Sequence, residues 1–176
     1  KSWKPPGCGN EVTANTIAIY TDADWGGDLD TRKSMDGYMA FMAGGPIGYK
    51  CGLQKSQALS SAEAEYIALF QRLREVIFFM KPMKEIKDIF NLYLPNPKIA
   101  CKVYKDNQIC VVMARIIKFS NRTKHIALKY HHFRSYMEMK LIDIVHIQSR
   151  DLTADILTKP LKEQAFKYLR SRLCGW

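Results

Sequence analysis

Four carboxylates sit in apolar stretches whose pattern does not require them. Asp22 follows the β-prone run Ile17-Ala-Ile-Tyr-Thr21, and Asp106 follows a second such run. Both are therefore placed at the carboxyl ends of strands, the edge at which open α/β sheets gather their sites. Glu65 falls on the apolar stripe of a helix that also presents Leu69, Leu73, Val76 and Met80. Asp155 lies inside Ala154-Asp-Ile-Leu157. An ionised carboxylate facing a core is costly unless a cation or several donors meet it. Each acid also has a plainer task open to it: Asp106 as a helix N-cap, Asp22 as a turn residue before Trp25-Gly-Gly27, Glu65 half-exposed, Asp155 on a wet face. Taken together, four carboxylates on separate elements of one sheet-centred domain can bind two divalent cations, and hard oxygen ligands suit Mg²⁺ or Mn²⁺.

The elements that must position them are visible in the pattern. Residues 16–21, 37–42 and 47–50 read as three opening strands, the last two joined through the hairpin signal Ala43-Gly-Gly-Pro46. A helix starts near Ser60, whose spacing to Glu63 is that of a capping box. Pro82 is expected to end or kink it, with a second helical piece running to Asn91. A fourth strand covers 99–104 and a short apolar helix 107–117. A helix over 123–140 turns Ile126, Tyr130, Phe133 and Met137 inward, and a fifth strand covers 141–147. Asp151 can cap a helical turn. Pro160 fits the first turn of a last helix with Leu161, Ala165, Leu169 and Leu173. The order βββαβααβα is that of an α/β domain over 16–176. Residues 1–15, with Pro5-Pro6-Gly7 and Gly9-Asn10, read as a linker or N-terminal arm.

With 176 residues, 47% hydrophobic and 25% charged, the chain is the size and composition of one globular domain, which excludes wholesale disorder. Its longest uncharged stretch, 37–49, contains glycines and a proline and is too short to cross a bilayer; no membrane association is expected. Residues 1–15 lack the apolar segment of a secretory signal, and a start at Lys1 rather than Met suggests a fragment or processed product. The five cysteines are odd in number and without CxxC spacing, which supports neither a disulfide framework nor a zinc site. Cys101 and Cys110 read as buried thiols in a reducing, intracellular setting. The net charge of +10 is uneven: residues 101–176 carry 15 Lys and Arg against 6 Asp and Glu. A basic half of this kind points to a polyanionic partner.

Several motifs, in order along the chain, carry a resemblance. They are Tyr20-Thr-Asp-Ala-Asp-Trp-Gly-Gly-Asp28 with Arg32-Lys-Ser34 and Gly37-Tyr38; Leu59-Ser-Ser-Ala-Glu-Ala-Glu-Tyr-Ile-Ala68; Lys105-Asp-Asn-Gln108; Arg122-Thr-Lys-His-Ile126 with Tyr130-His131; and Ala154-Asp-Ile-Leu-Thr-Lys-Pro-Leu161. From Tyr20 to Cys174 the chain resembles the ribonuclease H domain of copia-type LTR retrotransposon Pol polyproteins. The resemblance implies a ribonuclease H-like fold, a mixed five-stranded sheet flanked by helices. It implies a catalytic and metal-binding set of Asp22, Glu65, Asp106 and Asp155, with Glu63 left as the capping residue. It further implies hydrolysis of the RNA strand of RNA·DNA hybrids by two Mg²⁺ ions about 4 Å apart, Mn²⁺ being an alternative, and no small-molecule cofactor.

The implied partners are the hybrid and a reverse transcriptase domain lying N-terminal in the parent polyprotein. The implied place is the cytoplasm, within a virus-like particle. Arg32, Lys33, Arg122, Lys124, His125, Lys129 and His131 are the nucleic-acid-binding candidates, since 115–134 holds six basic residues and no acid. His146, nine residues before Asp155, is an auxiliary candidate, with an edge-strand role as the plainer reading. The chain departs from the family pattern at Ser34-Met-Asp-Gly-Tyr38, at Pro82, at Ser120-Asn121 and at Ala127. These departures leave an alternative: a catalytically weakened, nucleic-acid-binding domain of a degenerate or domesticated element.

Overall fold

Two short strands, β1 (Ser2–Trp3) and β2 (Val12–Thr13), pair antiparallel before the first long strand. The structure, a computed structural model, describes residues 2–91, 100–115 and 133–174. In β3 (Ile17–Asp24), Ile17 and Ile19 turn to one face and Ala18 and Tyr20 to the other, all at most 1% exposed. Burial on both faces marks a central strand. It pairs antiparallel with β4 (Met35–Met42), which pairs antiparallel with β5 (Gly45–Leu53).

The chain then enters α1 (Ser61–Ile89), followed by β6 (Cys101–Lys105), α2 (Gln108–Arg115), α3 (Arg134–Glu138) and β7 (Ile142–His146). A 3₁₀ turn (Ser149–Asp151), the short helix α4 (Asp155–Thr158) and α5 (Glu163–Cys174) complete the described chain. The sheet order is β5-β4-β3-β6-β7, with β6 and β7 parallel to β3. This is the mixed five-stranded sheet with helices that the sequence leads one to expect.

Each face has its own core. Leu69, Leu73 and Val76 of α1, Cys110 and Val111 of α2, and Phe133 pack on Ile17, Ile19, Val103 and Ile144. On the other face Tyr20, Phe41 and Tyr104 meet Leu152 and Ala154, and the Tyr20 ring stacks on Tyr104 at 4.9 Å. The stretch read as a linker or arm folds onto this second face. Trp3 and Val12 join its core, and the Tyr20 hydroxyl donates to the Pro6 carbonyl.

The start of α1 is set by its cap. Ser60 Oγ accepts from the Glu63 N–H at 3.2 Å, while the Glu63 carboxylate reaches back to the Leu59 N–H at 3.0 Å, one residue beyond the usual target. Three expectations are corrected. Of the two effects expected of Pro82, an end or a kink, the end does not occur: α1 runs through it, and Phe78, one turn back, whose carbonyl is left without a donor, is exposed. β3 extends to Asp24 because its ladder with β4 continues as far as Met35, so Asp22 lies inside the strand opposite Gly37 rather than after it. Pro160 precedes α5 instead of opening it. Residues 123–132 of the expected basic helix lie outside the described residues. No described helix is long and apolar enough to cross a membrane.

Candidate metal centre

Because β3 and β6 are parallel neighbours, their carboxyl ends share one edge of the sheet. It is also where the order departs to either side of β3, the position at which α/β sheets open a crevice. Asp22 sits at this end of β3, and Asp106 directly follows β6. Glu65 comes from the second turn of α1, buried above the same edge. One carboxylate oxygen from each of Asp22, Glu65 and Asp106 lies within 4.8 Å of the other two.

Asp155 is the first residue of α4 and stands on the same side as Asp22: one ammonium, that of Lys159, is 3.1 Å from Asp22 Oδ1 and 3.3 Å from Asp155 Oδ1. The approach of α4 depends on Gly37. A Cβ there would be 3.0 Å from Thr158 Cγ2 and 3.1 Å from Leu157 Cβ, so any side chain at this position would press α4 away from Asp22 by a few tenths of an ångström.

Three further side chains belong to the centre and escape a search for acids. Lys105 is fully buried and donates to the Thr21 carbonyl at 2.9 Å and to the Glu65 carboxylate. Thr158 donates its hydroxyl to Asp22 Oδ2, and Lys159 donates to Asp22 Oδ1. A signal for Lys105 was present. Cys101 and Val103 alternate onto the α1 face, and two residues on the same alternation puts Lys105 beneath Glu65. Lys159 likewise follows Asp155 at the i+4 spacing of a helical ion pair.

Burial and these charges set the protonation of the acids. Burial pushes Glu65 up to about 7, with the Lys105 charge pulling the other way. Burial pushes Asp155 up to about 7 as well, with the Asp22 charge adding to it. Burial also acts to raise Asp22, but Lys105, Lys159 and the Thr158 hydroxyl outweigh it and hold this carboxyl below the usual range. Both ammonium groups lose water, yet the acids beside them keep Lys105 and Lys159 above the ordinary lysine value. The donors are oxygens only, the set that suits a hard divalent cation such as Mg²⁺.

The remaining candidates are placed as follows. His146, exposed at the end of β7, holds its Nε2 3.0 Å from the Asp106 carbonyl oxygen, beside the acids. Arg32 and Lys33 lie in the loop from β3 to β4; Arg32 is exposed, with a left-handed φ of 56°. Arg122, Lys124, His125, Lys129 and His131 lie outside the described residues.

No protein-family model matches the chain. Over 148 residues, 84% of its length, it is 34% identical to the retrovirus-related Pol polyprotein from transposon TNT 1-94 of Nicotiana tabacum. Over 161 residues, 90% of its length, it is 32% identical to the corresponding polyprotein from transposon RE1 of Arabidopsis thaliana. It spans only 10% of the length of each. Its fold is similar to that of LC11-RNase H1 from compost, with a TM-score of 0.59 at 19% identity, covering 82% of this chain and 93% of that one. The same enzyme solved with an RNA/DNA hybrid gives a TM-score of 0.51 at 18% identity, covering 86% and 99%.

Proposed function

Because the chain belongs to the copia-type retrotransposon Pol polyproteins, of which it represents one region with a ribonuclease H-like fold, we propose that it hydrolyses the RNA strand of RNA·DNA hybrids during reverse transcription. The observation that carries this reading is the meeting of Asp22, Glu65 and Asp106 within 4.8 Å at the carboxyl end of two parallel strands. Asp22, Glu65, Asp106 and Asp155 are the residues that would hold two Mg²⁺ ions, or Mn²⁺. When bound, the metal would lower the pKa of an attacking water and stabilise the departing 3′ oxygen.

The chain's own groups prepare the acids for that task. Thr158 fixes the Asp22 carboxylate, and Lys105 keeps Glu65 aimed at the sheet edge. His146, at the rim beside Asp106, is the auxiliary residue of the proposal. Arg32 and Lys33 at the strand end, with Arg122, Lys124, His125, Lys129 and His131, are assigned to the phosphates of the hybrid. The hybrid as substrate is supported by the fold neighbour crystallised with one. The proposed partner within the polyprotein is a reverse transcriptase domain, and the proposed place is the cytoplasmic virus-like particle. The folding unit proposed is 16–176, with 1–15 as an arm against its second face.

The test is cleavage of end-labelled RNA·DNA, RNA·RNA and DNA·DNA duplexes with Mg²⁺ and with EDTA, by the wild type and Asp106→Asn. Cutting of the RNA strand of RNA·DNA alone, lost in EDTA and in Asp106→Asn, is the expected result. Hybrid binding without cutting would establish the weakened, binding-only alternative. Equal cutting of all three duplexes would overturn the hybrid assignment.

A further inference from the structure

Both oxygens of Asp22 are already engaged. Thr158 donates to Oδ2 and Lys159 donates to Oδ1 at 3.1 Å. The same ammonium donates to Asp155 Oδ1 at 3.3 Å, so it bridges two acids on different elements as a small cation would. The two donors differ in their freedom to leave. Thr158 is buried and wedged against Gly37. The Lys159 side chain is 32% exposed and springs from the extended residue that closes α4. Lys105 is the opposite case: its side chain is 0% exposed, and its ammonium is tied to both the Thr21 carbonyl and Glu65.

We propose that Lys159 is the displaceable cation of this centre: it neutralises Asp22 and Asp155 in the metal-free protein and is evicted when a divalent ion reaches Asp22, while Lys105 stays in place. The inference rests on the reading that the acid cluster holds a metal. It assigns the two lysines different work. Lys105 is a fixed counter-charge, and Lys159 is a positioning residue that stabilises the empty centre at the cost of weaker ion binding. A carboxylate pair bridged by a lysine repels less than a bare one, and an ion must compete with that lysine to enter.

The experiment measures Mn²⁺ binding to the full chain, without nucleic acid, by electron paramagnetic resonance. It compares wild type, Lys159→Met, Lys159→Arg and Asp106→Asn, with thermal melting of each in EDTA and in Mg²⁺. Lys159→Met is expected to bind Mn²⁺ at least about fivefold more tightly, since one carboxylate–ammonium pair, worth that factor at about 4 Å even at water-like screening, no longer has to be broken to admit the ion. Lys159→Arg keeps the charge and should stay within about twofold of wild type. Lys159→Met should melt below wild type in EDTA, with the gap closing in Mg²⁺. An unchanged or weaker affinity in Lys159→Met, or an equal melting loss with and without Mg²⁺, makes Lys159 an ordinary structural ion pair and overturns the inference. If wild type binds no Mn²⁺, or Asp106→Asn binds it as wild type does, the metal reading itself fails and the inference goes with it.

Discussion

A fully buried ammonium needs a partner, and Lys105 has Glu65. Removing one member of a buried pair strands the other, which typically costs 3–5 kcal/mol. Glu65→Gln should therefore abolish cleavage and also lower stability by about 3 kcal/mol in urea unfolding, the amide recovering part of the lost contact. Lys105→Met should be milder, because Glu65, pushed up to about 7 by burial, can take a proton when its partner is gone. The double variant should regain much of the loss of Glu65→Gln. Glu63→Gln, two residues away, should be nearly neutral, since glutamine still accepts from the Leu59 N–H. A Glu65→Gln protein as stable as wild type would show that the pair contributes nothing. The acids alone suggest the opposite, relief of repulsion. They are legible in the sequence because a carboxylate is out of place in an apolar run. Lys105 and Lys159 become legible only once the acids are placed, by strand alternation and by i+4 spacing, because a lysine beside a strand or a helix end otherwise reads as surface charge.

At the scale of elements, the centre depends on α4 lying against β4. Gly37→Ala would put a methyl group 3.0 Å from Thr158 and 3.1 Å from Leu157, in backbone that any residue can adopt, so the cost is steric. Overpacking of this kind typically costs 1–3 kcal/mol. The expected outcome is a loss of about 2 kcal/mol in urea unfolding together with reduced cleavage, as Asp155 and Thr158 are pushed off Asp22. Gly52→Ala on β5, where nothing lies within 4 Å of the added group, is the control and should change neither. An unaffected Gly37→Ala would mean that α4 can shift without harm. The five strands were legible as apolar, β-prone runs, two of them joined by the turn signal Ala43-Gly-Gly-Pro46. The true end of β3 was not, because Asp22, Ala23 and Asp24 are strand only by virtue of their ladder with Met35, Asp36 and Gly37. The continuity of α1 through Pro82 was hidden for a related reason: helix propensity is local, whereas Leu69, Leu73, Val76 and Ile77 anchor the helix to the sheet and set its course before the proline.

Across the whole molecule the two sheet faces are closed in different ways, one by α1 to α3 and the other by both ends of the described chain. Deleting residues 2–13 should cost about 3–6 kcal/mol, the burial of two large side chains, Trp3 and Val12, at roughly 1.5–3 kcal/mol each, read as a lower urea midpoint. A midpoint equal to that of the full chain would make the segment a passive linker. The ends also touch one another. A Cβ on Gly7 would lie 2.7 Å from that of Asp151, whose carboxylate accepts from the Tyr168 hydroxyl. This arrangement bears on how the chain is made. As it leaves the ribosome, Asp22, Glu65 and Asp106 emerge early, while Tyr20, Phe41 and Tyr104 wait, partly open to water, for Leu152 and Ala154. The stretch that ends the wait also delivers Asp155, Thr158 and Lys159. Closing the second core and completing the acid centre are thus one event, and a nascent chain stalled before Leu152 has neither.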